Sequence, residues 1–276
     1  MNRLALACSA ALLFAAHAPA RSLAQTFTTG PCHADDSNSG GHDWFSGSHA
    51  RVCELRRTTL PLLNGQLNVS GKNDGIEVIG EDRSDIALEA QVSAQSSDRQ
   101  SSEALLHKIE IITTGTIQAR GPQSSGWSKD NWSVNYRLHV PRRLGAHLHT
   151  ENGGIELANL DGDIHAETTN GGLTLSDLAG DIQATTVNGG VHVTLTGDQW
   201  RGGGLSARST NGGISVKGST HYSAHLIAQT EHGGISLGYP FTVRGTFSNR
   251  VETNIGEGGP TLQFQTVNGG VSINQN

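Results

Sequence analysis

Apolar residues recur through the second half of the chain at fixed distances from a short Asn-Gly-Gly motif. The motif begins at five asparagines: Asn152, Asn170, Asn188, Asn211 and Asn268. A further copy has histidine at this Asn position, at His232. Six and four residues before the Asn position, and three and five residues after it, every copy carries an apolar residue, as around Asn170 with Ile164, Ala166, Leu173 and Leu175. Spacings of two place alternate side chains on one face of a strand, so the pattern predicts a short strand before each motif and another after it.

The distances between successive motifs define the repeating unit. They are 18, 18, 23, 21 and 36 residues, and the last is twice the basic period. Asn and Gly both tolerate left-handed backbone, so the motif reverses the chain within a few residues, and a second turn such as Asp161–Asp163 closes the other end. Coils of this kind stack so that each strand pairs with the equivalent strand of the next coil. The sequence therefore predicts an all-β protein, a β-solenoid of about 18-residue coils with two strands each.

Two polar columns accompany the motif. Two residues before the Asn position every copy has Thr or Ser, which predicts a hydroxyl just inside the turn that bonds to the backbone of the stacked coil. The five motif asparagines are expected to form a ladder of side-chain amides along the stack, as identical stacked residues do in cross-β structures. Both columns indicate structural roles.

The same periodicity extends into the first half of the chain. Residues 73–75, Asn-Asp-Gly, have apolar neighbours in the same four columns. Residues 98–107 predict one short helical insertion, and residues 108–119 and 132–140 alternate as strands. No change in composition marks a second domain, so residues 54–276 are interpreted as one elongated unit. Glycine accounts for 36 of the 276 residues, well above the usual ~7%, which fits many tight turns between short strands.

The N-terminal residues 1–24 are typical of a secretory signal peptide. Arg3 precedes an apolar stretch over residues 4–16, and small residues lead to a cleavage site after Ala24. This stretch is shorter than the ~20 apolar residues that span a bilayer, and no later stretch approaches that length, so no membrane span is predicted. Because a signal peptide directs export, the expected location is the periplasm or the outside of the cell. Cleavage removes Arg3 and Arg21 and no acidic residue, which takes the formal net charge from −6 to −8. Such a mildly acidic chain is a poor candidate for binding nucleic acid.

Two cysteines, Cys32 and Cys53, remain after the signal peptide. An even number of cysteines in an exported chain predicts a disulfide between them. Residues 25–53 are interpreted as a flexible segment tethered by this bond, because residues 33–50 are rich in Ser, Gly and Asp. A metal site formed by Cys32 with histidines and aspartates of residues 33–49 is the alternative.

Four features together resemble a bacterial family known as putative adhesins, whose domain is otherwise of unknown function. They are the signal peptide, the Cys-Glu-Leu-Arg-Arg run at residues 53–57, the segment from Trp132 to Arg143 with its Pro-Arg-Arg ending, and the serial Thr-x-Asn-Gly-Gly coils. The resemblance implies an extracytoplasmic β-solenoid, and the family supplies no catalytic motif to carry over. His232 departs from the family pattern at one turn, and the 23- and 21-residue steps are interpreted as insertions that form loops on the solenoid wall.

The outward positions of the coils contain two candidate sites. One is a cluster of four side chains on two adjacent coils: His147, His149, His165 and Glu167. These side chains are expected to lie within about 5–7 Å of one another. If they held Zn²⁺ or Cu²⁺, the protein would be a metal-binding protein of the cell envelope. An exposed polar patch is the simpler interpretation of the same residues. The other candidate is the pair Trp200 and Tyr222, which lie in the two longest insertions and are predicted to be exposed as a binding hot spot.

A carbohydrate-active lyase or hydrolase is the competing functional class, since such enzymes also use stacked coils. The acids of the coils fall mainly at turns: Glu151, Asp161, Asp163, Asp177, Asp181 and Glu231. No pair of these acids shares a face with an arginine, as general acid–base chemistry on a sugar would need. The sequence therefore predicts an exported protein with neither catalytic activity nor a cofactor, which presents its side wall to an unknown protein or glycan of the cell envelope.

Overall fold

The computed structural model describes residues 26–32, 50–123, 130–239 and 249–275. Within these ranges α1 spans Arg99–Leu106, and the carboxylate of Asp98 caps it by accepting a hydrogen bond from the N–H of Ser101. The other regular elements are strands that belong to one sheet. They are β1 Thr28–Gly30, β2 Ala50–Pro61, β3 Gln66–Gly71, β4 Ile76–Glu81, β5 Asp85–Ser96, β6 Glu110–Ile112, β7 Ile117–Arg120, β8 Asn131–Pro141, β9 Gly145–Asn152, β10 Ile155–Asn170, β11 Leu173–Asn188, β12 Val191–Thr194, β13 Gly204–Asn211, β14 Ile214–Gly218, β15 Ala224–His232, β16 Ile235–Leu237, β17 Arg250–Ile255, β18 Thr261–Asn268 and β19 Val271–Gln275.

These strands form two walls of a β-solenoid. Wall A contains the strands that follow the motifs together with β1, β2, β5 and β8, in the order β1-β2-β5-β8-β4-β10-β11-β12-β14-β19-β16. Wall B contains the strands that precede the motifs together with β6, β7 and β17, in the order β6-β7-β3-β9-β10-β11-β13-β18-β15-β17. Strands β10 and β11 belong to both walls because each continues around a bend of the coil. The coil strands pair in parallel, whereas β2, β5 and β8 pair antiparallel at the N-terminal end.

The four apolar columns of the repeat form the core, as predicted. In register, Ile155 pairs with Leu173, and Ile164 pairs with Ile182. Side chains of all four columns are buried through the stack, with the exception of Ile235 and Leu237, which are half-buried. Their strand, β16, pairs only with β19 among the described residues, so one side of it has no neighbouring coil to complete the burial.

The bend opposite the motif differs from the predicted turn. Residues 161–163 lie inside β10, and the chain takes up left-handed backbone earlier, at Asn159 with φ 60° and at the equivalent Asp177 with φ 49°. Asn and Asp reach this region at low cost because their short polar side chains bond locally. In the second of these coils Gly180 also has a positive φ, of 100°. Gly162 serves close approach instead, since a Cβ there would lie 2.0 Å from the carbonyl oxygen of Leu144 in the neighbouring coil.

The spatial order of the coils also differs from their order in the chain. Each coil is named here after the residue at its Asn position. Strands β18 and β19 of coil 268 pair on one side with coil 211 and on the other with coil 232. The spatial order of the coils is therefore 73, 152, 170, 188, 211, 268, 232. β17 runs antiparallel to β15 and returns the chain, so that coil 268, the last in the sequence, lies between coils 211 and 232.

Part of the segment predicted to be flexible is ordered. Cys32 and Cys53 form the expected disulfide, with their Cα atoms 5.9 Å apart. Residues 28–30 pair as β1 with β2, which itself begins at Ala50. β2 is ordered because it pairs with β5 over twelve residues, and its other edge is then available to pair with β1. The predicted signal peptide and residues 33–49 lie outside the described residues. In the part of the chain that the structure describes, no helix is long and apolar enough to cross a membrane.

Candidate functional site

Amide side chains at the Asn position form a row of hydrogen bonds along one corner of the solenoid. Each Nδ2 donates to the Oδ1 of the preceding coil at 2.8–3.0 Å, in the order Asn73, Asn152, Asn170, Asn188, Asn211 and Asn268. His232 lies beyond Asn268 in the last coil of the stack, where its carbonyl accepts from the N–H of Gly269. Its imidazole does not interrupt the row, because the row has already ended at Asn268.

Buried hydroxyls tie the same corner together from the inside. Thr168 Oγ1 donates to the carbonyl of Gly153 at 2.8 Å, and Thr186 Oγ1 donates to that of Gly171 at the same distance. The equivalent bond occurs at 2.7–2.9 Å in the coils of Thr150, Ser209, Thr230 and Thr266. These hydrogen bonds tie each coil to its neighbour at this corner.

The two glycines of the motif serve different purposes. A Cβ on Gly171, the first glycine, would lie 1.9 Å from the carbonyl oxygen of Gly153 in the next coil. A Cβ on Gly172, the second glycine, would lie 3.4 Å from the carbonyl oxygen of Gly190. The stacking distance of the coils therefore excludes a side chain at the first position, whereas the second position leaves the outer surface of the corner without side chains.

The four residues of the predicted histidine cluster lie side by side, but their side chains are not arranged as a common set of metal ligands. The rings of His147 and His165 stack with centroids 4.9 Å apart and planes 5° from parallel. His149 Nδ1 lies 3.9 Å from Glu167 Oε2, and His165 Nε2 lies 3.3 Å from Asp163 Oδ1. Within the described residues no group of three or more His, Cys, Asp or Glu side chains is placed to hold a metal ion. Register brings these residues side by side as expected, but stacked rings face one another instead of directing their nitrogens at a shared point.

The prediction that Trp200 and Tyr222 are exposed is wrong. Trp200 is 3% exposed and Tyr222 is 1% exposed, and both belong to the core. The indole Nε1 of Trp200 donates to the carbonyl of Gly180 at 2.9 Å, so its insertion folds inward over the neighbouring coil. Burial raises the pKa of the Tyr222 phenol. The insertions bring large aromatic side chains into the core because burying them removes more apolar surface from water than an exposed loop would.

Five charged side chains, which sequence analysis did not connect, form a row across the outer face of wall A. We call them the charge row: Arg57, Glu89, Arg137, Glu77 and Glu156. Each residue is the register partner of the next on the adjacent strand. Arg57 Nε lies 2.5 Å from Glu89 Oε2, and Arg137 Nε lies 2.6 Å from Glu77 Oε2. The signs alternate over the first four residues, and opposite charges on facing strands attract.

Glu156 breaks this alternation. Its register partner on one side is Glu77, which has the same charge, and on the other side is Thr174. The carboxylate of Glu156 forms no ion pair and no hydrogen bond with any residue that the structure describes. Glu77 and Glu156 therefore lie on one face with Arg137. Sequence analysis considered only the acidic residues at the turns and did not predict this arrangement. Its signal in the sequence is that both glutamates stand four residues after their Asn position.

An open trough of about 450 Å³ runs beside the charge row. Its far side is a second row of small or amide-bearing residues: Gln91, Asn135, Gly75, Gly154 and Gly172. Within this row Asn135 Oδ1 accepts a hydrogen bond from the N–H of Gly75 at 3.0 Å. The trough is thus bounded by charges on one side and by backbone and amide groups on the other, and its shape follows from the second glycine of each motif.

A buried carboxyl group lies beneath this trough. Asp74 occupies the first-glycine position of coil 73, where β8 is the neighbour instead of another motif. It is 2% exposed, and it accepts hydrogen bonds from the N–H of Val134 at 2.9 Å and of Lys72 at 3.3 Å. Burial raises the pKa of Asp74 to about 6 despite these bonds. The hydroxyl of Tyr136 is buried nearby and has no hydrogen-bond partner in the part of the chain that the structure describes. Burial together with the charge of Asp74 raises the pKa of this phenol.

Comparison with known proteins finds one family model and several solved structures of low sequence identity. Among solved structures, a putative cell adhesion protein from Clostridium sporogenes ATCC 15579 is 12% identical with a TM-score of 0.42, over 83% of this chain and 100% of that chain. Putative adhesins from Bacteroides fragilis NCTC 9343 and Parabacteroides merdae ATCC 43184 are 11% and 12% identical, with TM-scores of 0.37 and 0.30, over 83% and 79% of this chain and 99% and 95% of theirs. No curated protein matches the chain. Residues 143–274, which hold the coils from 152 to 268, match the family model described as Toastrack DUF4097.

Proposed function

We propose that this protein is exported and acts without catalysis, as an adhesin-like or structural protein that presents wall A to a protein or glycan of the cell envelope. The observation that carries the proposal is the continuity of wall A. At the usual strand spacing of about 4.8 Å, its paired strands extend over about 50 Å. That length is enough for one side of a standard protein interface of roughly 800 Å².

The side chains of wall A suit binding. In coils 170, 188, 211 and 268, the residue four positions after the Asn position is Thr, His or Ser: Thr174, His192, Ser215 and Ser272. Such groups offer hydrogen bonds and lose little conformational freedom when a partner covers them. The amide row and the buried hydroxyls hold the wall rigid before binding, which lowers the entropic cost of association.

Export is supported by the disulfide between Cys32 and Cys53, since disulfides persist in oxidising compartments outside the cytoplasm. The sequence of residues 1–24 and the resemblance to bacterial putative adhesins point the same way. Location in the periplasm and location on the outer surface both agree with this support.

A carbohydrate-active enzyme is the second candidate, and the specific observation in its favour is the group Glu77, Glu156 and Arg137. Glu77 is held by Arg137, however, and the trough beside it is open to water. Acid catalysis on a sugar needs a carboxyl group in a shielded environment that keeps its proton near neutral pH. The group is therefore better suited to binding than to catalysis.

Co-sedimentation of the purified chain with isolated bacterial envelopes tests the proposal. Ser215→Arg places a long charged side chain in the middle of wall A and should reduce attachment at least fivefold. Gln183→Arg places the same side chain on the outer face of wall B and should leave attachment unchanged. Circular dichroism establishes that both variants fold. Turnover of a defined polysaccharide that is abolished by Glu77→Gln or Glu156→Gln would show instead that the protein is an enzyme.

A further inference from the structure

The charge row leaves one carboxylate of wall A without a counter-ion. Among the row's glutamates, Glu89 and Glu77 each lie against an arginine, at 2.5 and 2.6 Å. Glu156 is exposed, faces Glu77 on one side, and has no cation on the other. A positive group beside Glu156 would continue the alternation of charge and would relieve the repulsion between the two glutamates.

Backbone donors lie across the trough from this carboxylate. The N–H groups of Gly154 and Gly172 are in exposed residues and have no hydrogen-bond partner among the described residues. Their equivalent in coil 73, the N–H of Gly75, is occupied by the side-chain oxygen of Asn135. The chain itself therefore shows which group fits there: an amide carbonyl oxygen that reaches in from the outer side of the wall.

We infer that this trough binds an extended basic segment of a polypeptide, with a Lys or Arg side chain against Glu156 and backbone carbonyls on the N–H groups of Gly154 and Gly172. The inference rests on the proposed function and specifies the partner that wall A takes. An extended basic segment carries a cation and regularly spaced amide carbonyls on one chain, which matches the single carboxylate and the two N–H groups. A neutral glycan supplies acceptors but no cation, and a polyamine supplies cations but no carbonyl. The formal net charge of −6 also favours the approach of a basic partner.

Fluorescence anisotropy with a labelled nine-residue peptide tests the inference. The probe consists of glycine and serine around one central lysine, and a matched probe carries acetyl-lysine in its place. The wild-type chain should bind the lysine probe at least fivefold more tightly than the acetyl-lysine probe. Glu156→Gln should abolish that difference. Glu151→Gln is the matched control, because Glu151 is exposed in the same coil, carries the same charge and lies on the other side of Asn152, outside the trough.

Several outcomes would overturn the inference. Equal binding of the two probes would show that the cation is not recognised, and equal losses in Glu156→Gln and Glu151→Gln would show attraction by net charge alone. Displacement of the lysine probe by the neutral oligosaccharide maltoheptaose would assign the trough to a glycan. Co-sedimentation with envelopes separates this result from the proposed function: if Ser215→Arg loses attachment and Glu156→Gln retains it, wall A binds a partner but this trough is not the place.

Discussion

Alanine at the first glycine of a motif should disrupt the solenoid, whereas alanine at the second glycine should be tolerated. In Gly171→Ala the new Cβ would lie 1.9 Å from the carbonyl oxygen of Gly153. Non-bonded heavy atoms settle at about 3.5 Å, so coils 152 and 170 would have to move apart by roughly 1.5 Å at this corner. In Gly172→Ala the contact is 3.4 Å from the carbonyl oxygen of Gly190, and the residue is exposed.

The hydrogen bonds that such a separation breaks set the magnitude. Between these two coils, the N–H of Gly153 donates to the carbonyl of Asn170 at 3.0 Å, Asn170 Nδ2 donates to Asn152 at 2.8 Å, and Thr168 Oγ1 donates to Gly153 at 2.8 Å. Each bond is worth about 0.5–1.5 kcal/mol, and a buried carbonyl left without a donor costs about 1–3 kcal/mol. Gly171→Ala should therefore lower the free energy of unfolding by about 3–5 kcal/mol. Gly172→Ala should change it by no more than about 1 kcal/mol, because alanine also restricts the unfolded chain.

Urea unfolding followed by far-ultraviolet circular dichroism measures both variants. Stacked repeats can open locally, so amide hydrogen exchange in coils 152, 170 and 188 should accompany it. Exchange should speed up in these coils in Gly171→Ala and stay at the wild-type rate in Gly172→Ala. Equal destabilisation by the two alanines would refute the reasoning from the distance between coils.

Three further predictions follow from burial. The pKa of Asp74 is raised from 3.8 to about 6, so its proton stabilises the fold fully below pH 3.8 and this contribution is lost as the pH rises through 6. Asp74→Asn should remove about 2 kcal/mol of that pH dependence from urea unfolding between pH 4 and 7, and an unchanged dependence would contradict it. Trp200→Ala should lower the unfolding free energy by about 3–5 kcal/mol in the same assay, and a silent change would mean that the indole is not in the core. Ile182→Asp should unfold the solenoid because it buries an unpaired charge. The free energy of unfolding of Gln183→Asp should stay within about 0.5 kcal/mol of the wild-type value, because Gln183 is exposed. Equal destabilisation by the two variants would argue against the alternation of inward and outward residues.

What the sequence by itself determined is the content of each coil. A column of Ile, Leu, Val and Ala at fixed offsets predicts burial, since each coil meets a copy of itself and the same position meets the same environment. The hydroxyl column of Thr168 and Thr186 and the row of motif asparagines follow from the same repetition. The disulfide between Cys32 and Cys53 could be predicted because no other cysteine follows the signal peptide. In each case the information is local, or is repeated at a fixed period along the chain.

Only the tertiary structure decided how the coils and the non-repeating strands are arranged. The position of coil 268 between coils 211 and 232 depends on the antiparallel return of β17, which no periodicity records. Trp200 turns inward because its insertion can reach the neighbouring coil at Gly180. The charge row exists because β8 lies beside β4 and brings Arg137 next to Glu77, two residues 60 positions apart. Repetition specifies what one coil shows to the next, whereas contacts between distant and unlike segments depend on the three-dimensional path of the chain.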